Sequence, residues 1–117
     1  MKIILSADPF VNKFDLAEFE TGRQLDDLKD KLPEELKNKL IKWYDRYLTY
    51  VFMLDEKELE KYKNNIDELD KEGIELLREI SKFYFPEEVD KFYYYGLCSN
   101  LIYIIDREKE YKANKFE

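Results

Sequence analysis

Two stretches of this chain, residues 33–54 and 56–85, carry apolar side chains at helical spacing. Steps of three and four residues place such side chains on one face of an α-helix and leave the other face to charged residues. The first stripe comprises Leu36, Leu40, Trp43, Tyr44, Tyr47, Leu48, Val51 and Leu54. The second comprises Leu59, Tyr62, Ile66, Leu69, Gly73, Leu76, Leu77, Ile80, Phe83 and Tyr84. The pattern predicts two long helices, each with one buried face.

Residues at the ends of both stretches support these boundaries. Pro33 suits the first helical position, and the two glutamates after it complement the helix dipole. Asp55, with a glutamate three residues later, is typical of a helix N-terminus, and Pro86 is expected to end the second helix. Because Asn64-Asn65 interrupts the second stretch, one long helix and two shorter ones both remain open.

Gly73 lies within the second apolar stripe. Glycine in a helix interior costs about 1 kcal/mol relative to alanine. Its position on the buried face therefore predicts that a neighbouring helix or strand approaches closely there.

Three apolar, β-branched or aromatic runs indicate strands. Residues 2–7 end at an Asp-Pro pair, and the aromatic residues 91–95 are separated from the apolar run 101–105 by a possible turn. A helix from Leu97 onward is the competing interpretation, since apolar residues there recur four apart, but we favour the hairpin. We read residues 10–31 as an irregular connection, with a helical turn or two in "RQLDDLKDKL".

Together these elements predict one α+β domain over residues 1–117. We expect a small antiparallel sheet of about three strands (2–7, 91–95 and 101–105) packed on the two helices. From about residue 106 the chain becomes highly charged and is expected to form a solvated tail or a last helix.

The composition excludes most enzyme chemistry. The chain has no histidine, no glycine-rich phosphate loop and a single cysteine, Cys98, with no cation within two residues of it. Asp8 and Asp106 each follow a predicted strand, but turn or cap roles suit them better than a catalytic pair. We therefore expect a protein that is not an enzyme, without catalytic residues, cofactor, metal site or disulfide. The apolar run at the N-terminus is too short to form the core of a signal peptide. The sequence also lacks an apolar run long enough to span a membrane, so we expect a cytoplasmic protein.

Charge and aromatic content favour protein binding. The net charge is −7, from 27 acids and 20 bases, and ten residues are tyrosines. One layer of helices cannot bury both faces of the aromatic strand, so either Phe92 and Tyr94 or Tyr93 and Tyr95 should face outward. The predicted partner-binding residues are whichever of Tyr93 and Tyr95 is exposed, together with acids on helices next to the sheet: Asp26, Asp27, Asp67 and Asp70.

Four segments resemble a family of small acidic bacterial proteins that is largely uncharacterised. They are "MKIILSADPF", "LPEELKNKLIKWYDRYL", "DKEGIELLREI" and "DKFYYYG", and the likeness covers residues 1–8 and 33–96. The chain departs from the family after Asp8, in the longer "KELEKYKNN" segment and in the C-terminal tail. The overall type resembles the immunity proteins of bacterial toxin–immunity and contact-dependent growth inhibition systems, and it carries over no functional residue.

These features predict a cytoplasmic immunity protein that neutralises a cognate toxin, expected to be a basic nuclease domain, by occluding its active site or substrate surface. Such a protein would contact neither nucleic acid nor membrane directly and would be a monomer or weak homodimer. Two alternatives remain: a nucleic-acid mimic that inhibits a host defence system, and a housekeeping domain that self-associates through the aromatic strand.

Overall fold

The computed structural model describes residues 1–9, 11, 14–53, 55–83, 88–106 and 109–113, and these form an α+β fold. The helices are α1 (Asp26–Lys31), α2 (Glu34–Val51), α3 (Glu56–Lys61) and α4 (Lys63–Ser81). The strands are β1 (Lys2–Ser6), β2 (Asp15–Glu18), β3 (Lys91–Gly96), β4 (Leu101–Asp106) and β5 (Lys109–Ala113).

The five strands form one mixed sheet in the order β2-β1-β3-β4-β5. Strands β1 and β3 are parallel, and the other three pairs are antiparallel. The prediction of a three-stranded antiparallel sheet is therefore wrong in strand number and in the direction of one pair. The chain passes from β2 through the helices to β3. Parallel strands such as β1 and β3 need a long crossover connection of this kind.

Strands β2 and β5 were not predicted, for different reasons. Strand β2 has only four residues and lies in the segment read as an irregular connection, yet Leu16 pairs with Leu5 in the core. Strand β5, "KEYKA", has a single large apolar residue and lies at the sheet edge, where one side is solvated. The expected tail or helix from about residue 106 is thus a strand over Lys109–Ala113, and residues 114–117 lie outside the described part.

The hairpin of the aromatic strand is confirmed. Tyr94 pairs with Tyr103 in the antiparallel β3–β4 register, and residues 97–100 make the turn. Asn100 takes a left-handed conformation (φ 59°), which asparagine tolerates better than most residues. The alternative helix from Leu97 is therefore wrong. Leu101 and Ile105 lie four apart because they share one face of strand β4.

Helix α2 matches its prediction closely, whereas the second predicted helix is divided. Pro33 precedes α2 directly, and the Asp55 side chain accepts a hydrogen bond from the Lys57 backbone N–H at 2.9 Å at the start of α3. The break between α3 and α4 falls at Tyr62, two residues before the asparagine pair. Pro86 lies outside the described residues, and α1 confirms the helical turn expected before Pro33.

Helices α2 and α4 cover one face of the sheet. The indole N–H of Trp43 donates a hydrogen bond to the Leu69 carbonyl at 2.8 Å, which fixes the two helices together. A Cβ on Gly73 would lie 2.9 Å from Cζ2 of Trp43 and 2.8 Å from Cζ of Tyr94. The close approach predicted at Gly73 is therefore confirmed: the helix carries a glycine because two aromatic rings occupy the space of a side chain.

Candidate partner-binding surface

The alternation along β3 decides which tyrosines face the helices. Phe92 and Tyr94 belong to the core beneath α2 and α4, while Tyr93 and Tyr95 lie on the opposite face. Tyr93 is fully buried all the same, and the ring of Phe19 stacks on it with centroids 4.4 Å apart. Tyr95 is half-buried, and its hydroxyl donates a hydrogen bond to Oδ1 of Asn100 at 2.9 Å. Of the two predicted anchors, Tyr95 alone has an accessible side chain.

Asp70, predicted as a surface acid, is buried, with a residue exposure of 2%. Its Oδ1 accepts hydrogen bonds from the hydroxyls of Tyr47 at 2.9 Å and Tyr94 at 2.6 Å. Its Oδ2 accepts one from the Ser99 hydroxyl at 2.6 Å. The expectation that this carboxylate faces a partner is corrected, because three hydroxyls hold it inside the protein.

The Asp70 cluster joins helix α4 to the β3–β4 turn. Tyr47, besides donating to Asp70, accepts a hydrogen bond from the Cys98 backbone N–H at 3.2 Å. Gly96 makes room for the carboxylate, since a Cβ there would lie 2.6 Å from Oδ1 of Asp70. Burial, followed by the charge of Asp70, raises the pKa of Tyr47 and of Tyr94, so both hydroxyls stay protonated and act as donors.

The structure does not bring the remaining predicted acids into one patch. Asp26 and Asp27 lie on α1, which is tied to strand β2 at one edge of the sheet, and Asp26 lies 3.9 Å from the Lys29 ammonium. Asp67 is half-exposed on α4 beside strands β4 and β5, at the other edge. Four strand spacings of about 4.8 Å, roughly 19 Å in all, separate these two edges of the sheet.

A groove of about 1120 Å³ runs between helices α3 and α4 on one side and the β3–β4 turn with the end of β5 on the other. Its carboxylates are Glu56, Glu60 and Asp67, with Asp70 behind them, and its apolar lining includes Leu59, Ile66, Ile74 and Leu101. Sequence reasoning missed Glu56 and Glu60. Their spacing around Leu59 on one helix indicates an amphipathic segment, but only the fold shows what that segment faces.

A second buried polar cluster lies at the opposite edge of the sheet. Asp15 accepts hydrogen bonds from the Ser6 hydroxyl at 2.6 Å and from the Gln24 amide at 2.5 Å, and Lys29 donates to Gln24 at 2.5 Å. Burial raises the pKa of Asp15 and lowers the pKa of Lys29. Since both oxygens of Asp15 are engaged by neighbours, the cluster serves to hold β1, β2 and α1 together.

The geometry separates the two strand-end carboxylates considered for catalysis. Asp106 is one residue past Ile105, which pairs with Phe92, and Phe92 pairs with Ile3 near the start of β1. Asp106 is thus level with Lys2, and Asp8 lies six residues further along the chain than Lys2, which is about 20 Å in a strand. Asp8 and Asp106 therefore cannot act on one substrate bond.

Cys98 is half-buried in the β3–β4 turn. Burial, followed by the charge of Asp70, raises the pKa of its thiol to about 11. At neutral pH the thiolate, which is the nucleophilic form, is thus a minor species.

The comparisons with known proteins leave the family open. No family model matches the chain, and no curated protein or solved structure is significantly similar to it. Among the described residues, no helix is both long and apolar enough to cross a membrane. The resemblance to immunity proteins stays a prediction.

Proposed function

We propose that this protein is a non-enzymatic immunity protein that binds a cognate bacterial toxin with a basic domain, such as a nuclease, and neutralises it by occlusion. The observation that carries the proposal is the net charge of −7 together with exposed carboxylates that take part in no ion pair with a described residue. Glu56 and Glu60 are of this kind on one side of the protein, beside the half-exposed Asp67, and Asp27 is on another.

These carboxylates suit a basic surface. Opposite charges on two partners steer their encounter and exclude partners of the wrong sign. Tyr95 adds an anchor of the kind that dominates protein interfaces, with an apolar ring and a polar tip. Its hydroxyl donates to Asn100, which also lines the groove, while its ring lies on the sheet face away from α4.

The two alternatives receive less support. A nucleic-acid mimic needs rows of carboxylates, but on α2 and α4 cations are interleaved with them in pairs such as Lys37–Glu34 and Lys71–Glu68. Self-association through the edge of the aromatic strand has little support, since β3 is hydrogen-bonded to β1 on one side and to β4 on the other.

The experiment pairs the protein with the product of the reading frame immediately upstream in its genome. We expect one-to-one binding with a nanomolar dissociation constant by calorimetry, and loss of the toxic activity of that product in the complex. Tyr95→Ala should weaken binding by about 2 kcal/mol, whereas Tyr111→Ala, a half-buried tyrosine on the same sheet face, serves as the matched control.

A harmless neighbour that does not bind would reject the immunity proposal. Tight binding in which Tyr95→Ala costs less than about 0.5 kcal/mol would retain the proposal but remove Tyr95 as an anchor.

A further inference from the structure

We infer that the groove between α3–α4 and the β3–β4 turn is the toxin-binding site, and that it takes a segment of the toxin in which lysines or arginines alternate with apolar residues. This inference rests on the proposed function and names the surface and the chemistry of its partner. It is carried by the groove's shape, its apolar lining and its available carboxylates.

The apolar lining of the groove favours apolar side chains in the occupant. Ile66 and Ile74 lie along the α4 side, and Leu101 lies at the start of β4. Leu59 and Leu101 are half-buried and present apolar surface to the groove, while both isoleucines are nearly fully buried and add little accessible surface. Apolar side chains of a partner would remove the surface of these two leucines from water.

The carboxylates of the groove favour cationic side chains in the occupant. Glu56, Glu60 and Asp67 form no ion pair or hydrogen bond with any side chain that the structure describes, although Lys63, Lys71 and Lys112 line the same groove. Lys71 pairs with Glu68 at 3.3 Å. Three lysines beside the carboxylates would repel a continuous run of cations. Spaced cations with apolar residues between them satisfy both sets of groups.

A second depression, of about 750 Å³ between α2 and α4, is a weaker candidate. An ion pair already spans it, since Arg46 and Glu72 link the two helices. In the groove beside α3, by contrast, no such pair among the described residues connects the two sides.

The first test uses the full chain, labelled with ¹⁵N, and a seven-residue peptide of alternating lysine and valine. Saturable shifts of amide resonances should map to residues 56–71, 98–102 and 112–113, and a matched peptide of glutamate and valine should give none. The double variant Glu60→Lys/Asp67→Lys should bind the basic peptide at least about tenfold more weakly. The control Asp30→Lys/Asp45→Lys carries the same charge change at exposed positions outside the groove and should bind as the parent does.

Shifts centred on other elements, or a change of less than about twofold in the groove variant, would overturn the inference. The same two variants separate it from the immunity proposal. If the groove variant still neutralises the toxin fully, the groove is not the toxin site, although the protein remains an immunity protein. If the peptide binds in the groove but the neighbouring gene product is harmless, the toxin is rejected as the occupant.

Discussion

At the scale of single residues, Asp70 shows how a charge can be part of the core. It follows Ile66 by four positions and precedes Gly73 by three, so helical spacing places it on the apolar stripe of α4. That spacing was the available signal of burial, and the prediction of a surface acid overlooked it. Three hydroxyls make the buried position tolerable, because a carboxylate held by several donors is compensated for the water it has lost.

Asp70→Ala should destabilise the protein by about 3 kcal/mol or more, because three buried hydroxyls lose their acceptor. Asp70→Asn keeps one acceptor oxygen and should cost less. Urea unfolding followed by circular dichroism gives both values, with Asp67→Ala, one turn earlier on the same helix and half-exposed, expected within about 0.5 kcal/mol of the parent. A loss below about 1 kcal/mol for Asp70→Ala would show that the cluster does not hold the turn.

Gly73→Ala should also destabilise, by about 1–3 kcal/mol, although alanine favours a helix over glycine by about 1 kcal/mol. The added Cβ has no room between the rings of Tyr94 and Trp43, both of which are rigid and buried. Asn65→Ala, at an exposed position of the same helix, is the control and should be neutral or slightly stabilising. Thermal unfolding distinguishes these outcomes, and a stabilised Gly73→Ala protein would contradict the close packing.

At the scale of elements, Arg78 connects the edge strand β5 to helix α4. Its Nε donates to both oxygens of Glu110, at 3.0 and 2.8 Å, and Tyr103 donates its hydroxyl to Oε2 of Glu110 at 2.7 Å. Burial alone would raise the pKa of Glu110, but the hydrogen bonds from Tyr103 and Arg78 outweigh it and lower the pKa below its usual 4.5. The edge strand thus owes part of its attachment to an ionised group.

Glu110→Gln should reduce the free energy of unfolding by at most about 1 kcal/mol at neutral pH, since the pair is partly exposed and screened. A lowered folded-state pKa means that this stabilisation is complete above pH 4.5 and is lost as the pH falls through the folded-state pKa. Parent and variant should therefore converge in urea titrations as the pH is lowered well below 4.5.

The comparison with the variant is needed because the N-terminal amine also lowers the pKa of Asp90, which contributes to acid sensitivity in both proteins. Glu68→Gln, in a solvent-exposed pair with Lys71, is the control and should change stability little at either pH. A difference between parent and Glu110→Gln that persists at low pH would point to packing rather than charge.

At the scale of the whole molecule, the net charge of −7 should govern how fast the protein meets the basic toxin that we propose as its partner. Salt shortens the Debye length from about 10 Å at 0.1 M to about 3 Å at 1 M and screens long-range attraction. We expect an association rate constant above about 10⁶ M⁻¹s⁻¹ at low salt that falls steeply as salt is added, with a smaller change in the dissociation rate. Stopped-flow fluorescence measures both, and equal association rates at all salt concentrations would contradict electrostatic steering.

The sequence by itself determined the α+β class, helix α2, the hairpin of β3 and β4, and the close approach at Gly73. Each of these depends on local spacing: apolar residues three and four apart, aromatic residues in a run, or a glycine within a stripe. Local spacing records which side of an element is buried, and for these elements that is sufficient.

Tertiary structure alone decided the parallel pairing of β1 with β3, the strands β2 and β5, the burial of Tyr93 and the location of the groove. The direction in which two strands pair depends on the route of the chain between them. Residues 2–7 and 91–95, each taken alone, do not contain that information. Strand β5 is stable because β4 and Arg78 hold it, and its own five residues have little strand signal. The groove exists only between elements far apart in sequence, so its carboxylates were indistinguishable from the other acids until the fold placed them together.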